Sequence, residues 1–278
     1  MQLFDAHCHL QDERLAPQLE AVMARAAEAG VTRFLCCGSA ESDWAAVAPL
    51  AKRFAGVRPS LGLHPWYVRE RTAAWLDTLR ARLLETGAAV GEIGLDHVLD
   101  RATHADQEAV FLAQLDLAAE LGRPVSVHCR QAWGRVLEIL EARRAPPAGL
   151  MVHSFSGSPE LVPRLTALGV YVSFSCSLAR SGNTRGRRAA PLVRPDRLLA
   201  ETDSPDIPPP PRPGAAGLTD AQGRPLNEPA NLPLVVATLA ELRGETVEET
   251  ARRTRENAER LFGGPGGDRA DGAEGNGK

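Results

Sequence analysis

Leu3-Phe4-Asp5-Ala6-His7-Cys8-His9-Leu10 opens the chain as a short apolar run ending in two histidines one residue apart. Side chains of a strand alternate between faces, so His7 and His9 share a face and can grip one metal ion while Cys8 points away. Brief apolar, β-prone runs recur along the chain. Candidate strands occupy residues 3–9, 32–37, 57–63, 89–95, 124–128, 149–154, 170–175 and 197–202. Between most of them lie Ala-, Leu-, Glu- and Arg-rich segments (15–29, 43–54, 73–86, 105–121 and 131–143) with apolar residues at three- and four-residue intervals. Strict alternation predicts an α/β protein with a parallel sheet, and eight such units predict one closed (β/α)8 barrel rather than an open doubly wound sheet. The seventh unit is poorly helical. Residues 205–229 are rich in proline and glycine and predict a long loop after strand eight. Helices over 229–242 and 246–262 form a C-terminal helical extension, and the Gly-rich, charged stretch 263–278 is expected to be a disordered tail. One barrel domain, 1–262, is the expected organisation.

At 278 residues the chain can bury a substantial single core. A formal net charge of −3 and a pI near 6.2 exclude a globally basic nucleic-acid binder, though not a local basic patch. No apolar run approaches the roughly 18 residues of a membrane helix, and no basic-then-apolar leader precedes the first strand, so a cytoplasmic location is expected. The five cysteines (Cys8, Cys36, Cys37, Cys129, Cys176) are odd in number, lie in apolar runs and lack CxxC spacing. They read as buried thiols without a metal role.

Five of the seven histidines, His7, His9, His64, His128 and His153, fall at or near the end of a candidate strand. Glu92 joins them from strand four and Asp203 from the end of strand eight. A barrel brings all these ends to one rim, where this fold builds its active sites. Four imidazoles and two carboxylates exceed what one tetrahedral ion needs. The arithmetic therefore suggests two divalent ions: His7, His9 and Asp203 on the first, His128 and His153 on the second, and Glu92 bridging. Such a pair can share a water and lower its pKa, and Asp203 is suited to take the proton. Zinc, manganese and magnesium are all compatible with mixed nitrogen and oxygen ligands.

Phe4-Asp5-Ala6-His7-Cys8-His9, Gly62-Leu63-His64-Pro65, Gly91-Glu92-Ile93-Gly94-Leu95-Asp96, Pro124-Val125-Ser126-Val127-His128-Cys129-Arg130, His153-Ser154-Phe155-Ser156-Gly157 and Glu201-Thr202-Asp203-Ser204-Pro205 follow in order, and Asn227-Glu228-Pro229 and Asn257-Ala258-Glu259-Arg260-Leu261-Phe262 complete them. As an ordered set they resemble the TatD family. The resemblance implies a TIM-barrel, metal-dependent hydrolase of the amidohydrolase type. It further implies nucleic acid as substrate: DNA trimmed as a 3'-5' exonuclease, or an aminoacyl-tRNA ester in a D-aminoacyl-tRNA deacylase. Another ester or amide hydrolase on the same site is the remaining enzymatic reading, and a catalytically silent metal-binding scaffold is the non-enzymatic one.

The other residues of interest carry two readings each. His64 would contact a substrate phosphate or stay a hydrogen-bonded loop histidine. Arg130 could fork onto phosphate, or hold the rim in a salt bridge to Asp96. Asp96 is expected to orient a ligand imidazole, and Glu201 to do the same or to sit in an ion pair inside the barrel. Trp66 and Tyr67 could stack on a base or pack the rim. Arg180, Arg185, Arg187 and Arg188 could steer an anion or form a solvated face. Asp206 stands where the family often has an aromatic residue, Leu226 where it often has arginine, Cys129 where a hydroxyl residue is common and His97 where an aromatic is. Asp206 in particular would repel a polyanion beside the metals. No obligate protein partner is readable, and a monomer is expected.

Overall fold

The computed structural model describes residues 1–143, 146, 148–211 and 217–263; the tail from 264 onward lies outside the described residues, as does 212–216 of the long loop. Eight strands, β1 (Leu3–Cys8), β2 (Val31–Gly38), β3 (Val57–Leu61), β4 (Ala89–Asp96), β5 (Val125–Arg130), β6 (Leu150–Val152), β7 (Tyr171–Phe174) and β8 (Leu198–Ala200), form one parallel sheet in sequence order. The edges meet: the backbone N–H of Asp203 donates to the His7 carbonyl at 3.0 Å, and that of His9 to the Ser204 carbonyl at 2.6 Å. Asp5 fastens the same seam. Its carboxyl takes the Thr202 N–H at 2.8 Å and lies 2.5 Å from the Thr202 hydroxyl.

Helices α1 (Leu19–Glu28), α2 (Trp44–Arg53), α3 (Trp75–Thr86), α4 (His104–Leu121), α5 (Trp133–Arg143), α6 (Val162–Ala167) and α7 (Thr184–Ala189) follow the first seven strands in turn. The sixth is as short as the seventh, for which the sequence already predicts little helix. Strands six and eight end earlier than their apolar runs, although the backbone N–H groups of His153 and Glu201 still bond the Val127 and Phe174 carbonyls beyond them. Ser154 (φ 41°) and Asp203 (φ 60°) turn the chain there, in a region costly for residues with a Cβ and therefore a mark of a functional end.

The core forms between the strands and the helices, with Trp44, Phe111, Phe155 and Phe174 among its largest fully buried side chains. After the loop, α8 (Leu232–Arg243) packs beside the barrel and α9 (Val247–Phe262) crosses its N-terminal end. Thr250, Ala251, Thr254, Asn257, Ala258 and Leu261 recur at helical spacing and form the buried face of α9. Ala258, Leu261 and Phe262 join the cluster of Phe4, Leu35, Ala89, Met151, Tyr171 and Leu199. Burying each of the two large side chains, Leu261 and Phe262, contributes about 2 kcal/mol. With α9 on that end, the opposite rim is left for chemistry.

Pairing between β4 and β5 sets the register of the site, with Gly94 opposite His128 and Asp96 opposite Arg130. Gly94 has φ 149°, and a Cβ there would lie 1.9 Å from the His128 carbonyl oxygen. Only glycine lets β4 approach the backbone of His128 this closely.

Candidate metal centre

His7 on β1 and His9 just beyond it, Glu92 on β4, His128 on β5, His153 just beyond β6 and Asp203 just beyond β8 converge at the C-terminal rim. Glu92 lies at the centre, and its two oxygens face different partners. Oε2 is 3.4 Å from His7 Nε2 and 3.5 Å from His9 Nε2. Oε1 is 2.8 Å from His153 Nε2 and 2.9 Å from His128 Nδ1. Asp203 Oδ1 adds to the first side, 3.5 Å from His9 Nε2 and 3.8 Å from His7 Nε2. Three donor triads, His7 with His153 and Asp203, His7 with His9 and Glu92, and His64 with Glu92 and His128, each have their donor atoms within 4.8 Å of one another. The triads overlap, so the donors surround one shared space.

Whether an imidazole can hold a metal depends on what its other nitrogen does. His9 Nδ1 faces the Cys37 carbonyl at 2.7 Å and must donate to it, which leaves a lone pair on Nε2. His128 donates from Nε2 to Asp96 Oδ2 (3.3 Å) and turns Nδ1 inward, while His153 donates from Nδ1 to Glu201 Oε1 (3.3 Å) and turns Nε2 inward. His7 Nδ1 meets the Ser126 hydroxyl at 2.9 Å, an oxygen able to accept. In their neutral forms these four rings would each turn a lone pair to the site, and that donor set fits divalent cations. His64 differs. Its Nδ1 accepts the backbone N–H of Trp66 at 3.1 Å, so a neutral ring carries its proton on Nε2, the atom 3.3 Å from Glu92 Oε1. A protonated nitrogen has no lone pair for a metal, and His64 enters the site as a hydrogen-bond donor.

The charge balance sets which of these groups are ionised. Burial pushes the Glu92 carboxyl upward, but His64, His153 and the bonds from His128 and His153 outweigh it and hold Glu92 well below the usual range. Asp203 is likewise brought down to about 2, its burial overcome by the hydrogen bond from His9 and the charges of His153, His7 and His9. Both carboxylates are therefore ionised at neutral pH. Burial takes His64 the other way, down to about 4, and keeps it neutral.

Several supports escape a sequence reading. Gln114 of α4 grips Leu63, the neighbour of His64, accepting its N–H at 2.7 Å and donating to its carbonyl at 3.1 Å. One helical heptad earlier, Gln107 holds Asp96 in the same two-way fashion, at 2.9 and 3.1 Å. Asn227 fixes the loop that carries Asp203, donating to the carbonyls of Thr202 (2.7 Å) and Ile207 (3.0 Å). For the two glutamines the hint in the sequence is a pair of amides seven apart on an otherwise apolar helix face, and Asn227 stands in the Asn227-Glu228-Pro229 motif.

Around the rim, Asp96 is fully engaged by His128 Nε2, the Trp66 indole N–H (2.8 Å) and the Val98 N–H (2.9 Å). Arg130 is exposed and forms no salt bridge with Asp96 or any other acid among the described residues. Asp206 is not a free charge beside the candidate site. Arg14 clamps it through two bonds of 2.9 and 3.1 Å while also bonding Asp12, and so ties the loop after β8 to the loop after β1. Of the arginines after β7, Arg180 reaches the carbonyl of Pro208 (2.8 Å) and Arg187 turns toward Glu241 on α8 (3.6 Å). All five cysteines are buried, free thiols.

The family model described as TatD related DNase matches residues 4–263. A protein of Pantoea vagans named 3'-5' ssDNA/RNA exonuclease TatD is similar at 36% identity, covering 94% of this chain and 99% of its own length. The uncharacterized metal-dependent hydrolase YabD of Bacillus subtilis is 32% identical, with 94% and 98% covered. Among solved structures, YJJV, a TatD homolog from Escherichia coli K12, superposes with a TM-score of 0.86 at 30% identity, covering 95% of this chain and 98% of that one.

Proposed function

Because the chain belongs to the TatD family of metal-dependent hydrolases, we propose that it is a 3'-5' exonuclease of single-stranded nucleic acid working with two divalent ions. The split of the Glu92 carboxylate supports this reading most directly: one oxygen faces His7 and His9, the other faces His128 and His153. His7, His9 and Asp203 would hold one ion, His128 and His153 the other, with Glu92 shared. Bound divalent ions supply Lewis-acid activation of water and charge stabilisation at phosphoryl oxygens.

The chain's own residues do the rest. Asp203, ionised and aimed at the centre, accepts the proton of the attacking water as its oxygen bonds to phosphorus and the bond to the leaving oxygen breaks. His64, neutral and protonated on Nε2, donates to a phosphate oxygen. Exposed Arg130, next but one to His128, is free to fork onto the same group. Asp96 and Glu201 keep His128 and His153 turned inward by accepting their outer ring protons. Arg14 offsets part of the Asp206 charge while it also bonds Asp12, which weakens the argument against a polyanion that the departure at that position raises.

The test is metal content together with products from a panel: single-stranded DNA and RNA labelled at the 5' end, duplex DNA, a D-aminoacyl-tRNA and a simple amide. Shortening of the single strands from their 3' ends is expected. In Asp203→Asn, which keeps a ligating oxygen, kcat should fall roughly a hundredfold or more with metal retained. Full activity in that variant would remove Asp203 as the base. Turnover of the aminoacyl ester alone would make the protein a deacylase, and bound metal with no turnover would make it a scaffold.

A further inference from the structure

Trp66 is the one exposed aromatic side chain among the described residues, 51% open to solvent, while every other Phe, Trp and Tyr there is buried or half-buried. Its position is fixed from two sides. The indole N–H donates to Asp96 Oδ2 at 2.8 Å, and its backbone N–H donates to His64 Nδ1 at 3.1 Å. The ring stands nearly perpendicular to His64, at 87° with 5.1 Å between centres. The ring thus stands half open to solvent at the rim beside the candidate centre, with its edge held by Asp96. Tyr67, the neighbouring aromatic, is instead half-buried and packed on the core.

We propose that the indole of Trp66 is a base subsite, a stacking platform for the nucleobase of the nucleotide whose phosphate meets His64 and the Glu92 centre. The inference rests on the nuclease reading above and deepens it by naming the part of the substrate that Trp66 recognises. A ring pinned at its edge loses little freedom when a base covers its face, and stacking accepts any base, as end-trimming of arbitrary sequence requires. The indole N–H and the His128 ring share one oxygen of Asp96, so the platform and a proposed ligand of the ions are held in a common frame.

The experiment uses the full chain loaded with Mn2+ and two oligodeoxynucleotides of equal length, one ending in an ordinary 3' nucleotide and one in an abasic residue. The wild type should prefer the base-bearing end in kcat/KM by roughly tenfold, the value of one stacked base. Trp66→Leu should bring that ratio close to one, chiefly through KM and with metal content unchanged. Trp66→Phe, which can stack but cannot donate to Asp96, should keep most of the preference. A ratio unaltered in Trp66→Leu overturns the subsite, and so does an equal loss on both ends, which would leave Trp66 only as a support of Asp96. No shortening of either oligonucleotide by the wild type would end the nuclease reading instead. Stacking is then decided by tryptophan emission: quenching by deoxyadenosine monophosphate that is lost in Trp66→Leu upholds it, and equal quenching in both proteins overturns it.

Discussion

Asp5 shows how much a single carboxyl can carry without touching a reacting atom. Burial pushes it up to about 8, although the Thr202 bonds pull it down. The folded value lies above the unfolded 3.8, so its contribution to stability is full below pH 4 and is lost as pH rises toward 8. Asn can accept the Thr202 N–H and donate to the Thr202 hydroxyl, so Asp5→Asn should fold and should lack this decline in urea unfolding between pH 5 and 8. Leu can do neither, and Asp5→Leu should lose about 3 kcal/mol because two buried polar groups at the barrel seam go unpaired. A parallel pH profile for wild type and Asp5→Asn would refute the account. The presence of Asp5 beside the His-x-His pair is plain in the sequence, but its role is not. Thr202 stands 197 positions away, and only closure of the barrel brings the two together.

Among the elements, α4 supports the site while contributing no residue to it. Gln107 and Gln114 are both fully buried and clamp the backbone ends of β4 and β3, where Asp96 and His64 begin to face the rim. Replacing Gln114 with Leu keeps the volume but leaves the Leu63 N–H and carbonyl without partners. A loss of about 2–4 kcal/mol in urea unfolding is expected. KM should also rise more than kcat falls, because His64 rather than Asp203 is displaced; a fall in kcat alone would contradict the clamp. The arrangement of elements was largely legible, since helices and strands announce themselves by period. Lengths were less so. The sixth and eighth strands stop after three residues, where their apolar runs are twice as long.

At the scale of the whole molecule, folding gathers five imidazoles around two carboxylates, and a cation relieves that arrangement. In the ion-free protein His9 is raised to about 9: burial lowers it, but the Asp203 hydrogen bond and the charges of Glu92 and Asp203 prevail. That stabilisation is complete below pH 6.5 and is lost as pH rises through 9. A ligated ion replaces the proton, so loading releases protons, and affinity should rise roughly tenfold per pH unit for each proton displaced. The gain in Tm on adding Mn2+ to chelator-treated protein should accordingly be larger at pH 8 than at pH 6. A gain independent of pH would remove His9 from the ligand set. No helix of the described residues is long and apolar enough to cross a membrane. By itself, the sequence determined the eight-unit barrel and the histidines and acids that gather at its rim, because apolar period and strand-end position are local properties of the chain. Only the tertiary structure decided which nitrogen of each histidine faces the site, that His64 Nδ1 is taken by the Trp66 N–H, that Arg14 pairs with Asp206 and that Trp66 is left open. Each of those depends on what a distant segment places beside a side chain, and local spacing carries no record of it.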